Sequence, residues 1–151
     1  MNVYVASSWR NEFQPSVVKY LRELDHNVYD FKYPTEDDIG FSWKQIDTKW
    51  ESWTSKEYIK ALNHPLAVKG FANDMQALDE CDAVVLVMPC GRSAHLELGY
   101  GIGKGKYSII YTTIAEPELM YKMVHSIVTT LDGIGVSLGM AEENMYGTYN
   151  R

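Results

Sequence analysis

Apolar positions along the chain switch repeatedly between two periods. Val3-Tyr4-Val5-Ala6 is a short apolar run closed by Ser7-Ser8, which predicts a buried strand followed by a loop. Pro15 then opens a stretch in which Val17, Val18, Leu21 and Leu24 recur at helical spacing, and proline suits a first helical turn. Residues 27–31 predict a second strand and residues 66–80 a helix. Residues 83–88 are apolar throughout, as a central parallel strand buried on both faces should be. A helix is predicted from Ser93 onward, a fourth strand at 107–111, a short helix at 117–123, a fifth strand at 126–128 and a last helix near 129–138. No pattern is evident after Gly139. Strands alternating with helices imply a parallel sheet covered on both faces, with right-handed crossovers. Ligands of such sheets bind beyond the carboxyl ends of the strands.

Residues 34–65 break this rhythm. They hold Trp43, Trp50 and Trp53 among polar residues, between Pro34 and Pro65, and predict an insertion with short helices of its own around 54–62. The tryptophans read either as a small core or as a lid for an aromatic ligand. At 151 residues the whole chain, 1–151, fits a single domain carrying this insertion.

Composition narrows the class. With 46% hydrophobic and 23% charged residues the chain is an ordinary folding sequence. A formal net charge of -6 without a basic block argues against duplex nucleic acid as a partner. The longest apolar run is too short to span a bilayer, and the first residues lack the charged start and apolar stretch of a leader. Two cysteines make no disulfide framework. A cytoplasmic protein with reduced thiols and no membrane partner is expected.

The segment Ser93-Ala94-His95-Leu96-Glu97-Leu98-Gly99-Tyr100 stands out. On a helix Ser93 and Glu97 share a face, and Glu97 lies about one turn from the strand's carboxyl end. A carboxylate among apolar helical residues near a cleft is either structurally paired or chemically used. Arg10 and Arg92 are the arginines placed near the same strand ends. Cys90 and His95 lack an orienting third group for thiol catalysis. The four histidines have no metal-ligand spacing, so no metal is expected. The glycine-rich run at 99–105 is not a dinucleotide fingerprint and reads as close helix packing, including against another subunit. Taken alone, Tyr4 also fits core packing, Asp74 a solvated helix face, and Trp9 a sheet-edge cover.

The segment 93–99 after an apolar strand resembles the nucleophile region of the nucleoside 2-deoxyribosyltransferase family, whose Glu-Leu-Gly is matched by Glu97-Leu98-Gly99. Tyr4-Val5-Ala6-Ser7-Ser8-Trp9 resembles the family's first strand and substrate loop. Asn73-Asp74 precedes Glu97 by nearly the family's interval, and Leu119-Met120 resembles a segment that reaches into a neighbouring subunit's site. The resemblance covers most of the chain outside 34–65 and the tail. It implies a flavodoxin-like three-layer α/β fold with a five-stranded parallel sheet. It also implies cleavage or transfer at the N-glycosidic bond of a nucleoside or nucleoside 5′-monophosphate, with no cofactor and a homodimer or higher homo-oligomer.

In that reading Glu97 is the nucleophile, Asp74 the acid for the departing base, and Tyr4 the residue orienting Glu97. Ser7, Ser8 and Ser93 hold sugar hydroxyls and Trp9 stacks on the base. Gly91, Arg92 and Ser93, with Arg10 nearby, form a cradle for an anion. Glu118 and Met120 approach from the segment around 119–123. Glu118 departs from the family's monophosphate glycosidases, which tend to carry a small hydroxyl residue there. Two rival readings remain: a glycohydrolase of NAD resembling TIR domains, and a nucleotide-binding sensor without turnover.

Overall fold

The computed structural model describes residues 1–147. Its elements run β1 (Asn2–Ala6), α1 (Gln14–Glu23), β2 (Asn27–Asp30), α2 (Ser55–Ala61), α3 (Pro65–Glu80), β3 (Ala83–Val87), α4 (Arg92–Gly103), β4 (Tyr107–Tyr111), β5 (Ser126–Val128) and α5 (Leu131–Tyr146). Short 3₁₀ turns occupy Trp43–Gln45, Trp50–Ser52 and Leu119–Met123. The chain divides into two units, Met1–Asp30 with the chain from Leu78 on, and Phe31–Ala77.

The first unit holds a five-stranded, all-parallel sheet, as the alternation of strands and helices predicts, and its order is β2-β1-β3-β4-β5. Tyr4 stands opposite Tyr29 on one side and Val84 on the other, and Val85 stands opposite Ile109. Alternate residues serve opposite faces of a strand. Val3, Val5, Ala83, Val85, Val87 and Ile109 bury against Val17, Val18 and Leu21 of α1 and Ile134 and Leu138 of α5. The complementary set, including Tyr4, Ala6, Val84, Leu86 and Ile110, belongs to the other face, where α4 packs on β1, β3 and β4. This is a three-layer flavodoxin-like α/β arrangement.

Gly101 explains how closely α4 lies on the sheet. A Cβ built there would sit 2.6 Å from Cγ2 of Val84, whereas Gly99 and Gly103 have open space on that side. The glycine-rich run thus contains one position that β3 requires.

The carboxyl-terminal helix departs from expectation. α5 continues through Tyr146, past the predicted end at 138, while 148–151 lie outside the described residues. Thr130 caps its start by accepting from Gly133 N, 3.1 Å. Glu142 accepts from the chain's terminal ammonium at 3.2 Å, a contact between sequence ends that periodicity does not reveal.

The second unit has a local architecture. Trp43 meets Phe41, Trp53 and Tyr58 edge-on, with ring centroids 4.8, 5.7 and 5.9 Å apart. The Trp53 indole N–H donates to Asp47 at 2.7 Å. Thr54 and Glu57 form a reciprocal capping box at the start of α2. The insertion tryptophans Trp43 and Trp53 therefore form a small aromatic core within this unit, and the unit extends beyond 34–65 to include the first part of α3.

Candidate active site

The carboxyl ends of β1 and β3 are joined by side chains that bond to backbone. Ser7 Oγ donates to Val87 O at 2.9 Å. Asn11 Nδ2 donates to the same carbonyl at 3.2 Å and to Pro89 O at 2.8 Å. Asn11 Oδ1 also accepts from Phe13 N and Gln14 N, 2.8 and 2.9 Å, which satisfies two amides at the start of α1. One buried amide thereby fixes both the β1–α1 loop and the end of β3. Nearby, Gln14 Nε2 donates to Asp30 at 2.8 Å, across the ends of α1 and β2. Neither Asn11 nor Gln14 is evident from sequence, because their partners are 76–78 residues away or depend on the sheet order.

From β3 the chain passes through a cis Met88–Pro89 peptide and Cys90 into α4. Gly91 is the N-cap and offers no side-chain cap to the first amides of the helix. Arg92 and Ser93 are exposed at its start, and Glu97 is half-buried in its second turn. Desolvation pushes the Cys90 thiol up to about 12, with the charges of Glu97 and Glu116 adding to it. The Glu97 carboxylate is thus felt at the mouth of the loop that leaves β3.

His95 ties this loop together. Its Nδ1 is 2.8 Å from Gly91 O and its Nε2 is 2.7 Å from the Tyr121 hydroxyl. The two rings stack with centroids 5.8 Å apart. A carbonyl only accepts, so the network assigns the proton to Nδ1 and leaves Nε2 as acceptor. Cys90 Sγ lies 3.7 Å from the same Nδ1. An Nδ1 that is donating elsewhere cannot deprotonate a thiol already held neutral, so Cys90 and His95 do not form a nucleophilic pair.

The structure brings Ser7, Ser8, Gly91, Arg92, Ser93 and Glu97 to the carboxyl ends of adjacent strands. Tyr4 is fully buried on the α4 side of β1 and stacks on Tyr29 with centroids 5.1 Å apart. Trp9 and Arg10 are exposed in the β1–α1 loop. Asp74 lies on α3 in the second unit and is half-buried. Glu118 accepts from Met120 N at 3.3 Å, and both residues are exposed. Tyr121 is hydrogen-bonded to His95 of the same chain. The described residues contain no group of three His, Cys, Asp or Glu able to hold a metal ion. No described helix is long and apolar enough to cross a membrane.

An open cleft of about 460 Å³ lies in the first unit along Pro15, Val18, Lys19, Arg22, Glu23 and Asp30. The candidate chemistry is placed instead by the strand ends, beyond which ligands of parallel sheets bind.

No protein-family model matches the chain, and no curated protein matches it by sequence. Among solved structures it is similar to a 2-deoxyribosyltransferase from Bacillus psychrosaccharolyticus. That match has 18% identity and a TM-score of 0.61, over 87% of this chain and 88% of that one. A CMP N-glycosidase, BcmB of Clostridium botulinum, matches with 16% identity and a TM-score of 0.49, over 91% and 98%. Likeness at this identity establishes a shared fold, and the first of the two carries it.

Proposed function

We propose that the protein is an enzyme that cleaves or transfers at the N-glycosidic bond of a nucleoside or nucleoside 5′-monophosphate, with Glu97 as nucleophile. The observation that carries this reading is the placement of Glu97. It is a half-buried carboxylate one turn into the helix that leaves the central strand, with its charge acting on the Cys90 thiol of the loop above. The fold shared with a 2-deoxyribosyltransferase supports the same chemistry.

In this mechanism the Glu97 carboxylate attacks the anomeric carbon. The carbon–nitrogen bond breaks and its electron pair leaves with the base. A general acid gives its proton to that base. The developing positive charge on the sugar is neutralised by Glu97, and the product is a glycosyl ester. Water then adds at the same carbon, losing its proton to the conjugate base of that acid, and Glu97 is regenerated. A second base in place of water gives transfer. Tyr4 orients Glu97, while Ser7, Ser8 and Ser93 bind sugar hydroxyls.

The start of α4 supplies what a 5′-phosphate needs. Gly91 is not required there for conformation or packing, since a Cβ would meet nothing within 4 Å. Its absence leaves room for close approach to uncapped amides beside Arg92 and Ser93. Trp9 and Arg10 face the substrate from the β1–α1 loop, and Glu118 and Met120 from the segment before β5. The exposed face of α4 formed by Leu96, Gly99 and Gly103 suits contact with a second copy of the chain.

The test is release of free base from a panel of nucleosides, their 5′-monophosphates and NAD, by wild type and Glu97→Gln. Base release that vanishes in a folded Glu97→Gln protein is the expected result. Undiminished release would sink the mechanism, and nicotinamide as the sole product would move the reading to NAD.

A further inference from the structure

We infer that Asn11 is a positioning residue for the proposed reaction: its buried side chain sets the spacing between the β1–α1 loop and the loop that enters the Glu97 helix. What is positioned rests on the function proposed above; the clasp itself does not.

Asn11 acts through its backbone and through its side chain. Its N–H donates to Ser8 O at 3.1 Å, closing a four-residue turn with Trp9 and Arg10 at the two central positions. Its Nδ2 donates to Val87 O at 3.2 Å and to Pro89 O at 2.8 Å, so the same residue is bonded to the chain leaving β3, two residues ahead of Gly91. Val87 O also accepts from Ser7 Oγ at 2.9 Å. The Asn11 side-chain oxygen accepts from Phe13 N and Gln14 N. These bonds call for a planar group with two protons on one side and two lone pairs on the other, in a space that leaves the residue 5% exposed. Asparagine is that group. Aspartate cannot donate, serine cannot span the distance, and glutamine is one carbon longer.

The reaction explains why the spacing matters. In the proposed site Ser7, Ser8, Trp9 and Arg10 hold sugar and base from one wall, whereas Gly91, Arg92, Ser93 and Glu97 belong to the other. Attack on the anomeric carbon requires both walls to present substrate and carboxylate in register. A misplacement of about 1 Å there costs on the order of a hundredfold in rate. Sheet pairing does not extend far enough to set this spacing, because the register of β1 with β3 ends at Ala6 and Leu86. Past those residues the side chains of Ser7 and Asn11 join the two loops.

Serine and aspartate at this position separate the clasp from the cap on α1. Asn11→Ser keeps an oxygen acceptor for the first amides of α1, where the two residues are comparable, but does not reach Val87 O and Pro89 O. It should lower kcat for base release at least about tenfold and leave KM within about threefold, at a temperature where melting shows the variant folded. A smaller loss of kcat in the folded variant overturns the inference, and so does a loss matched by the folded fraction, which is what a merely structural role gives. Asn11→Asp keeps the size and the acceptors and removes both donors, so it should lose kcat to the same extent. It also serves if the serine variant does not fold; if neither folds, Asn11 is a folding residue and the inference falls. The wild-type side chain gives a readout without activity. Its Nδ2 protons should exchange with solvent at least about a hundredfold more slowly than those of an exposed asparagine, and equal rates overturn the clasp. Should wild type release no base from any nucleoside, monophosphate or NAD, the proposed function falls, and the exchange rates alone decide whether Asn11 joins the loops.

Discussion

The sheet unit buries Val3, Val5, Val85 and Ile109, drawn from strands far apart in sequence, against two helices. The 31–77 unit gathers Phe41, Trp43, Trp53 and Tyr58 from one short stretch, with the Trp53 indole held by the half-buried Asp47 carboxylate. The contrast is between long-range volume filling and short-range polar fastening. The first kind of unit is intolerant of lost side-chain volume. The second tolerates surface change but responds to acid, because its fastenings are ionisable. The candidate nucleophile stands on the rigid unit, where a misplaced carboxylate is least affordable.

The largest expected effect tests whether the chemistry resides in the sheet unit. Glu97→Gln should lower base release by at least about a thousandfold with little change in thermal melting. A matching loss of folding would reduce Glu97 to a structural role. In the sheet core, Ile110→Ala should cost about 3 kcal/mol in denaturant titration, through lost transfer energy and a cavity that parallel pairing cannot close. In the other unit, Trp43→Ala should cost about 2 kcal/mol, because that ring is only half-buried. Hydrogen exchange should quicken across 31–77 while the strands keep their protection. Equal quickening in β1 and β3 would erase the distinction between the units.

The smallest effect is the response to acid. The Lys49 amide and the Trp53 indole hold the Asp47 carboxyl below its usual range, and Thr54 does the same for Glu57. Their contribution is complete above the ordinary carboxylate range and is lost as pH falls from about 5 toward 3. Three of the four tryptophans lie in this unit, so in a Trp9→Phe background the fluorescence change reports on it. That change should precede loss of the far-ultraviolet signal of the sheet. Trp53→Phe, which removes one of Asp47's donors, should flatten the acid response; an unaltered profile would show that these bonds are incidental.

What the sequence discloses follows the same division. β3 is legible because every residue of Ala83–Val87 is buried and apolar. Alternation implies a parallel sheet, but the order β2-β1-β3-β4-β5 is set by pairings that no local window contains. α5 is half legible: Ile134 and Leu138 show helical spacing, but Gly133, Gly135 and Gly139 dilute it, and the fastening of Glu142 to residue 1 is invisible in any window. Glu97 is legible by type and position. Asn11 is not, since its importance lies in two carbonyls beyond β3. Tyr121 is visible as an aromatic residue, but its inward turn depends on an imidazole 26 residues earlier. Local pattern thus reveals elements, and the polar ties between elements emerge only once the strands are set side by side.

The notch at Gly101 carries a historical consequence. Any side chain there strikes Val84 at 2.6 Å, on the strand that leads directly to the Glu97 loop. Neither position is free to drift alone. A mutation to alanine at 101 survives only in a lineage that has already trimmed position 84, and a smaller residue at 84 first opens a void that costs stability. The two sites are therefore inherited as one character. Among diverged descendants of this chain, glycine at 101 should accompany valine at 84, and the exceptions should change both.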